Sequence, residues 1–299
     1  MSAEKKRIAA VVVTYNRLPL LQKCIESLRA QTALCDILVV NNASTDGTGP
    51  WLTAQQASGV LTARDTGENL GGAGGFNYGM RWAVEARYDF LWVMDDDCLP
   101  EPDALEKLLE ADARLGGGYG WLSSRVLWKD GNLCAMNLQR DTLIHTISSF
   151  DQELQPVVMA SFVSLFLPRR IVLEMGLPIK EFFIWTDDWE FTRRISRKYP
   201  CYVVAASVVI HHSISNIGAN IVTASMDRLD RFNYLYRNDV VLYRREGFKG
   251  FAYEAARLTG HCLRVVFRSR DHRWKRIKKI VSGTRKGLSF RPDIEYIEE

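Results

Sequence analysis

The sequence contains no clustered cysteines, and their absence excludes two ways of stabilising a fold. Its six cysteines stand singly among 299 residues, with no CxxC spacing. A disulfide framework or a zinc knuckle would need cysteines grouped along the chain, so neither is expected. Unpaired, scattered cysteines are typical of a reducing compartment, and we predict a cytoplasmic location.

The sequence also lacks a long hydrophobic run. The apolar stretch at 157–167 is bracketed by prolines and is shorter than the roughly 18 residues that a membrane-spanning helix needs. The first residues, "MSAEKKRIAAVVVTYNR", begin with basic side chains, but the apolar run that follows is too short for a signal peptide. We therefore expect a protein that is soluble or peripheral on the inner face of the cell membrane, rather than integral.

The net charge of the chain is only +4. Because nucleic-acid-binding proteins are usually strongly basic, a nucleic-acid partner is not expected. The charge is unevenly placed, however: ten Lys or Arg residues but only one acid, Asp271, lie between 264 and 286. Trp274, Ile277, Ile280 and Val281 share one helical face of this stretch. That pattern suits a helix lying on an anionic membrane surface. A docking helix or a solvated charged face is the alternative interpretation.

Two common phosphate-binding loops are missing. The Gly-rich segment "NLGGAGGF" at 69–76 is not followed by Lys-Ser/Thr, and its glycine spacing does not match the dinucleotide fingerprint. A P-loop kinase or NTPase and a Rossmann dehydrogenase are therefore disfavoured. The glycines still permit close approach of the backbone to a phosphate or sugar.

Strand and helix patterns alternate from residue 7 to about residue 115. The β-branched run "RIAAVVVTYN" is typical of a buried parallel strand, and apolar residues with helical spacing follow it. The alternation predicts an α/β fold with a Rossmann-like, mostly parallel sheet and helices on both faces. We predict a catalytic domain over 1–220, with further short strands from about 119 to 150. A helical, basic C-terminal region follows over 221–299, with helices at 227–245 and 252–281.

Polar clusters follow several of the predicted strands. These clusters have the sequences "TYNR", "NNASTDGT", "NLGGAGG" and "DDD". Ligands of open α/β sheets bind at the carboxyl ends of the strands, where these clusters would meet. The sequence therefore predicts one binding site at this edge of the sheet.

Asp95, Asp96 and Asp97 form the most informative of these clusters. Adjacent carboxylates repel one another, and a hard divalent cation such as Mg²⁺ or Mn²⁺ relieves that repulsion by taking oxygen ligands. The alternative is a helix N-cap at Asp97, although a cap requires one acid rather than three. We therefore predict a metal site here.

Two further clusters lie downstream. Asp187 and Asp188 precede a basic helical stretch, and either carboxylate could act as a general base; capping of that helix, with Glu190 in its first turn, is the alternative. His211 and His212 end a predicted strand. Paired imidazoles at a strand end suit a metal site, whereas a lone histidine is usually a core residue.

Taken together, "VVVTYNR", "VVNNASTDGT", "NLGGAGGFNYG", "VMDDD" and "TDDWEF…HH" resemble the family 2 nucleotide-sugar glycosyltransferases of GT-A fold. The resemblance covers about residues 7–215. Bacterial galactofuranosyltransferases are the subfamily most similar to it, and dTDP-rhamnosyltransferases come next. It implies an inverting transfer, dependent on Mn²⁺ or Mg²⁺, from a nucleotide-diphosphate sugar such as UDP-galactofuranose. The acceptor would be a hydroxyl of a bacterial surface glycan or a lipid-linked glycan.

The resemblance also implies roles for particular residues. It places nucleotide-sugar contacts at Thr14, Arg17, Asn41, Asn42, Asn69, Gly71, Gly72, Asp95 and Asp96. It assigns the metal to Asp95, Asp97 and His212, with His211 as the alternative third ligand, and the base to Asp188, with Asp187 as the alternative. Asp96 would lie closer to the donor sugar, and Trp185 or Trp189 would stack on sugar, with plain packing as the alternative. Asn41 stands where many members have an aspartate that accepts a hydrogen bond from uracil; an amide oxygen also accepts, but without charge.

Overall fold

The computed structural model describes residues 6–298. Its amino-terminal half confirms the predicted parallel sheet. The apolar composition of β1, β2 and β4 suits burial on both faces, and the parallel strand order is β3-β2-β1-β4. The strands are β1 Ile8–Thr14, β2 Asp36–Asn41, β3 Thr62–Asp65 and β4 Phe90–Asp95.

Helices cover both faces of this sheet, as the alternating pattern predicts. Three of them pack on one face and contribute Leu21, Leu52 and Leu108 to its core; they are α1 Leu18–Arg29, α2 Thr48–Ala57 and α4 Ala104–Leu115. The opposite face is covered by α3 Gly71–Glu85, α5 Arg169–Met175 and α6 Asp187–Ser196.

Helix α3 lies unusually close to strand β1. A Cβ added to Gly75 would stand 2.5 Å from a Val13 methyl, and one added to Gly79 would stand 2.6 Å from a Val11 methyl. Because the two glycines are four residues apart, they share one helical face. These glycines of the predicted phosphate loop therefore serve helix–sheet packing.

The sheet continues beyond β4 with mixed strand directions. Its order there is β4-β8-β6-β9-β5, with β7 also paired to β9. Strand β9 runs parallel to β6 and antiparallel to β5, so the end of β9 lies beside the aspartate cluster. The strands are β5 Cys98–Pro100, β6 Leu122–Trp128, β7 Leu154–Pro156, β8 Leu165–Pro168 and β9 Tyr202–His211.

The carboxyl-terminal region is helical, but its boundaries differ from the prediction. The prediction of one helix over 252–281 is wrong, because the chain breaks at 269–272. Ser269 adopts an extended conformation after α8, and His272 has φ +42° before α9. The helices are α7 Phe232–Arg244, preceded by a short 3-10 helix, α8 Gly247–Arg268 and α9 Arg273–Ser289.

These helices form a small core of their own and remain tied to the α/β part. Phe232, Tyr236 and Ile280 are buried in that core. The last residues of the chain contact the α/β part again, where Glu295 forms ion pairs with Arg81 and Lys180. Within residues 6–298, none of the helices has an apolar stretch long enough to cross a bilayer.

Candidate active site

The carboxyl ends of neighbouring strands bring the predicted polar clusters to one edge. Thr14 at the end of β1 pairs in register with Asn41 of β2, and Asn41 pairs with Asp65 of β3. On the other side of β1, Val13 pairs with Asp95, the last residue of β4. The side-by-side placement follows from the parallel register and confirms the predicted convergence.

The aspartate triplet lies at a tight connection between two strands. Strand β4 ends at Asp95, a turn holds Asp96 and Asp97, and β5 begins at Cys98. The next helix, α4, has Asp103 at its N-cap position. The alternative that Asp97 caps a helix is therefore excluded.

Asp96 is almost fully buried and is held by two side chains from the β1 end. The Thr14 hydroxyl donates to its Oδ2 at 2.7 Å, and the Arg17 guanidinium donates to its Oδ1 at 3.3 Å. Burial raises the pKa of Asp96 to about 6, although the positive charge of Arg17 opposes the rise. Thr14 and Arg17, both predicted nucleotide contacts, thus orient the aspartate cluster.

Asp97 pairs with a histidine from β9. Its Oδ1 lies 3.1 Å from His211 Nε2, and its Oδ2 accepts from Arg17 at 2.9 Å. Burial lowers the pKa of the imidazole, but the hydrogen bonds to Asp97 and Cys134 and the charges of Asp97 and Asp95 together outweigh this and raise the pKa of His211 to about 10. Burial acts to raise the pKa of Asp97. The hydrogen bond and the charge of His211 act to lower it, and the pKa of Asp97 is lowered.

The other nitrogen of His211 is also fixed. Nδ1 lies 2.7 Å from the Asn137 Oδ1, and the Asn137 amide nitrogen donates to Ser161 at 2.9 Å, which sets the orientation of the amide. A histidine held through Nδ1 by a carbonyl oxygen presents Nε2 in the manner of many metal ligands. Nothing in the local sequence of Asn137 distinguishes it, and only the fold places it here.

His212, the predicted metal ligand, is arranged differently. Its backbone N–H donates to the Asp97 carbonyl at 2.8 Å, and its ring is only partly buried. Partial burial and then the charges of Lys23 and Lys129 lower the pKa of His212. The geometry favours His211, the alternative ligand, because its ring is the one against Asp97.

Asp95, the other predicted metal ligand, lies outside the group of side chains close enough to share an ion, which among residues 6–298 is Asp97, Cys98 and His211. Among residues 6–298, no side chain donates a hydrogen bond to its carboxylate. Burial and then repulsion from Asp97 and Asp96 raise the pKa of Asp95 to about 8. Carboxylate oxygens with an imidazole nitrogen fit Mg²⁺ or Mn²⁺. Cys98 lies within ligand distance of Asp97 and His211, but burial raises the pKa of its thiol, which disfavours the thiolate as a ligand.

The second acidic cluster opens helix α6. Asp187 is buried, and burial raises its pKa to about 7. Asp188 is only partly buried; burial, the charge of Asp187 and that of Asp95 raise its pKa well above the usual range. Asp188 is therefore within range of the charge of Asp95. Glu190, in contrast, is buried in ion pairs with Arg194 and Arg245.

The segment just before this cluster is strained. Phe183, Trp185 and Thr186 all have φ between +64° and +70°, a region that non-glycine residues seldom adopt. We name residues 183–186 the strained segment. It leads directly into Asp187 and Asp188 at the start of α6.

Helix α7 holds the strained segment in place. The Asn238 side-chain amide lies within 3.1 Å of the backbone carbonyls of Phe182, Ile184 and Trp185. The next residue, Asp239, accepts from the Thr186 hydroxyl at 2.7 Å and pairs with buried Arg257 of α8 at 2.6 Å. The sequence motifs did not reveal Asn238 or Asp239, because they lie in a helix about fifty residues downstream.

The Gly-rich loop contacts the same segment. Gly71 has φ +72°, and a Cβ added to it would lie 2.1 Å from the Phe183 carbonyl oxygen. The next residue but one, Ala73, donates its backbone N–H to that oxygen at 3.1 Å. Gly72, by contrast, has no atom within 4 Å of an added Cβ. Of the two predicted contact glycines, Gly71 serves the fold and Gly72 remains open to a ligand.

Asn42 and Asn69 fasten this loop to the end of β2. Asn42 is buried; its amide donates to Asn69 at 3.2 Å and to the Gly71 carbonyl at 2.9 Å, and its oxygen accepts from Leu70 N–H at 2.9 Å. The Asn69 side chain in turn accepts from Gly71 N–H at 2.9 Å. Their polar atoms therefore position the loop.

Asn41, the predicted base contact, is paired within the protein. Its side-chain oxygen accepts from Ser44 N–H at 3.1 Å, and its amide donates to the Asp65 carboxylate. Sequence reasoning missed Asp65, although the aspartate ending the weak strand "VLTARD" was a usable signal. Asp65 supplies the negative acceptor that position 41 lacks.

The two tryptophans flanking the acids are partly buried. Trp185 packs edge-on against Phe232, with ring centroids 5.3 Å apart. The Arg140 guanidinium lies 3.7 Å from the centre of the Trp189 ring, a cation–π contact. Each indole therefore has a protein contact, and the sugar-stacking role stays a prediction.

Comparison with known proteins identifies part of the chain. Residues 9–118 match the family model described as Glycosyl transferase family 2. The undecaprenyl-phosphate mannosyltransferase of Micrococcus luteus is 39% identical over 135 residues, covering 40% of this chain and 55% of that protein. The galactofuranosyltransferase GlfT1 of Mycobacterium tuberculosis is 31% identical over 199 residues, covering 64% of each. The chain thus spans less than two thirds of the length of these relatives.

Solved structures with the same fold are more distant in sequence. TarS of S. aureus superposes with a TM-score of 0.55 at 14% identity, covering 95% of this chain and 44% of that one. A complex of GalNAc-T7 with UDP, GalNAc and Mn²⁺ gives a TM-score of 0.58 at 14% identity, covering 77% of this chain and 47% of that one. At these identities the likeness shows the fold alone, which is the GT-A fold.

Proposed function

We propose, from the premise that residues 9–118 form a glycosyl transferase family 2 domain, that the chain is an inverting, metal-dependent glycosyltransferase. One observation carries the proposal: Asp97 pairs with His211 at the carboxyl edge of the sheet, Asp95 ends strand β4 two residues before Asp97, and the charge of Asp95 reaches Asp188. We assign the first three residues to the cation and Asp188 to the base.

The residues divide the work of the transfer. Asp188 takes the proton of the acceptor hydroxyl as that oxygen attacks the anomeric carbon of the donor sugar. The bond from this carbon to the diphosphate breaks on the opposite face, which inverts the anomeric configuration. Arg17, charged and half exposed beside Asp97, faces the charge that grows on the leaving diphosphate. A Mg²⁺ or Mn²⁺ held by Asp95, Asp97 and His211 would neutralise further charge there.

The raised pKa of Asp188 suits this role. A raised pKa makes the carboxylate a stronger acceptor for the proton of a hydroxyl. Asp187 is buried and lies behind it, so we assign it to shaping the charge of its neighbour. This keeps Asp188 as the base and Asp187 as the alternative.

For the donor we propose UDP-galactofuranose. The similarity to a galactofuranosyltransferase over 199 residues supports this choice. Asp65 beside Asn41 offers a carboxylate acceptor for the N3–H of uracil. The alternatives are dTDP-rhamnose, since thymine presents the same N3–H, and a mannose donor, suggested by the other relative. A catalytically silent nucleotide-sugar-binding protein is the non-enzyme alternative.

The acceptor is proposed as a hydroxyl of a bacterial surface glycan or of a lipid-linked glycan. The name of the mannosyltransferase relative includes a lipid phosphate, which supports the second of these. Trp185 and Trp189, on either side of Asp187 and Asp188, are the side chains proposed to bind it.

A donor panel tests the proposal. Purified protein with Mn²⁺ is offered UDP-galactofuranose, dTDP-rhamnose and a mannose donor, with a glycan acceptor, and products are read by mass spectrometry. Asp95→Asn and Asp188→Asn should each lower transfer by at least about a hundredfold. Asp151→Asn, an exposed carboxylate distant in sequence from the motifs, is the matched control and should leave the rate unchanged.

The variants also separate the alternatives. Donor binding by the native chain without transfer to any acceptor would favour the silent binding protein. Near-native rates in both Asp95→Asn and Asp188→Asn would overturn the mechanism. Transfer from dTDP-rhamnose or the mannose donor alone would keep the enzyme and replace the sugar.

A further inference from the structure

The connection between α8 and α9 carries two large exposed aromatic side chains. Phe267 is 76% exposed near the end of α8, and Trp274 is 82% exposed at the start of α9. The four residues 269–272 join the helices, so both rings lie at the same tip. We name this tip, with the cations of 264–286 around it, the hairpin surface.

The hairpin surface has a large unpaired positive charge. Of the ten Lys or Arg residues from 264 to 286, two are ion-paired: Arg276 with Asp271 and Lys279 with Asp230. The other eight make no ion pair with any residue between 6 and 298. They are Arg264, Arg268, Arg270, Arg273, Lys275, Lys278, Arg285 and Lys286.

The two aromatic rings and the eight cations without an ion pair are not needed to pack α9, unlike Arg276, which is buried. The helix docks through its other face, where Ile280 is buried and a Cβ added to Gly283 would lie 2.8 Å from Tyr236. The sequence had grouped Ile280 with Trp274 and Val281 on one apolar face. The structure divides them, since Val281 and Trp274 stay exposed. The buried face is a docking face, which is one of the two interpretations made from the sequence.

Exposed apolar side chains continue along helix α8, away from the tip. Phe248, Phe251, Leu263 and Val266 are exposed along it. Helical spacing places Phe248, Phe251 and Val266 on one side. Exposed apolar patches of this kind mark interaction sites in soluble proteins.

We propose that the hairpin surface docks on an anionic lipid bilayer, with Phe267 and Trp274 at the depth of the headgroups. Aromatic rings prefer that interface, and Lys and Arg are attracted to acidic headgroups. A second copy of the chain is a poor occupant, since it would bring eight like charges against these eight. This inference concerns binding to lipid and goes beyond the proposed transfer reaction.

Vesicle co-sedimentation tests the docking without any measurement of transfer. The full chain is mixed with phosphatidylcholine vesicles containing phosphatidylglycerol or with phosphatidylcholine alone, at low and high salt. Binding should occur only with the anionic lipid and should weaken in high salt. The double variants Phe267→Ser/Trp274→Ser and Lys275→Glu/Lys278→Glu should each lower the partition coefficient by at least about tenfold.

Matched controls carry the same changes elsewhere. Leu34→Ser removes an equally exposed apolar side chain, and Lys129→Glu reverses an exposed, unpaired lysine. Both should bind as the native chain does. Circular dichroism establishes that each variant is folded, so a loss of binding reports on the surface.

Three results would overturn the proposal. The first is that the native chain does not bind anionic vesicles. The second is that the variants bind as strongly as the controls, and the third is that binding is the same with anionic and neutral lipid. Sedimentation velocity can give a fourth result that would overturn it. A dimer that is lost in Phe267→Ser/Trp274→Ser would assign the surface to self-association instead.

Discussion

Replacing Gly71 by alanine tests whether the Gly-rich loop positions the acids of α6. Two costs add at this residue. Alanine at φ +72° costs about 1–2 kcal/mol relative to glycine. The new Cβ would also lie 2.1 Å from the Phe183 carbonyl oxygen, and relief of such an overlap costs about 1–3 kcal/mol. The free energy of unfolding should therefore fall by about 2–5 kcal/mol.

The loss of activity should exceed the loss of stability. Gly71 cannot move away freely, because its carbonyl accepts from Asn42 and its N–H donates to Asn69. The strained segment must yield instead, and it leads directly into Asp187 and Asp188. Transfer by the folded fraction should fall by at least about tenfold, since small misplacements of a reacting group carry large penalties.

Gly72→Ala is the matched control for this prediction. An added Cβ there meets no atom within 4 Å, and the residue lies in the first turn of α3. Chemical denaturation should show a change within about 1 kcal/mol, in the stabilising direction. If Gly72 approaches the donor, its alanine variant should weaken donor binding while stability is kept. Equal unfolding midpoints and equal transfer rates for both variants would refute the reasoning.

Three further outcomes are expected. His211→Ala should weaken Mn²⁺ binding by about 10–100-fold in calorimetry, whereas His212→Ala should change it little; the opposite order would restore His212 as the ligand. Asn238→Ala should lower the free energy of unfolding by about 2–3 kcal/mol, because the backbone carbonyls of Ile184 and Trp185 lose their side-chain donor. Without added metal, the free energy of unfolding should decrease as the pH rises from about 5 toward 8, because Asp95 and Asp188 have raised pKa values and ionise unfavourably in the folded protein. Asp95→Asn should flatten that pH dependence, and a slope unchanged by this variant would contradict the assignment.

The parallel half of the fold could be predicted because its signals are local. Strands β1, β2 and β4 are continuous apolar runs that end in polar residues, and their order along one edge follows from parallel connection. The aspartate triplet was identifiable for the same reason. Its carboxylates are adjacent in sequence, so no knowledge of the fold was needed to bring them together.

The remaining parts depend on contacts between distant residues. The choice between His211 and His212 depends on the pleat of β9, which turns neighbouring side chains to opposite faces. Asn137 reaches His211 from a stretch expected to hold short strands, where the structure has a 3-10 helix and irregular chain. Asn238 carries no motif, and only the packing of α7 against the strained segment shows its role.

The glycines show a different failure of sequence reasoning. A Gly-rich loop before a helix predicts close approach of a ligand, and Gly72 is open as expected. Gly75 and Gly79 instead let α3 approach β1, and Gly71 makes room for Phe183. One composition therefore serves two purposes, and the sequence cannot separate them, because both require the absence of a side chain.

The strained segment implies a limit on how stable this chain can become. Glycine adopts a positive φ readily, so glycine at 183, 185 or 186 would relax the backbone by about 1 kcal/mol or more at each position. The side chains present would then be lost: the Phe183 ring stacks on Tyr234, and the Thr186 hydroxyl binds Asp239. Selection for thermal stability alone would therefore favour changes here that loosen the support of Asp188. Thermostabilised variants that keep activity should take their substitutions from outside 183–186.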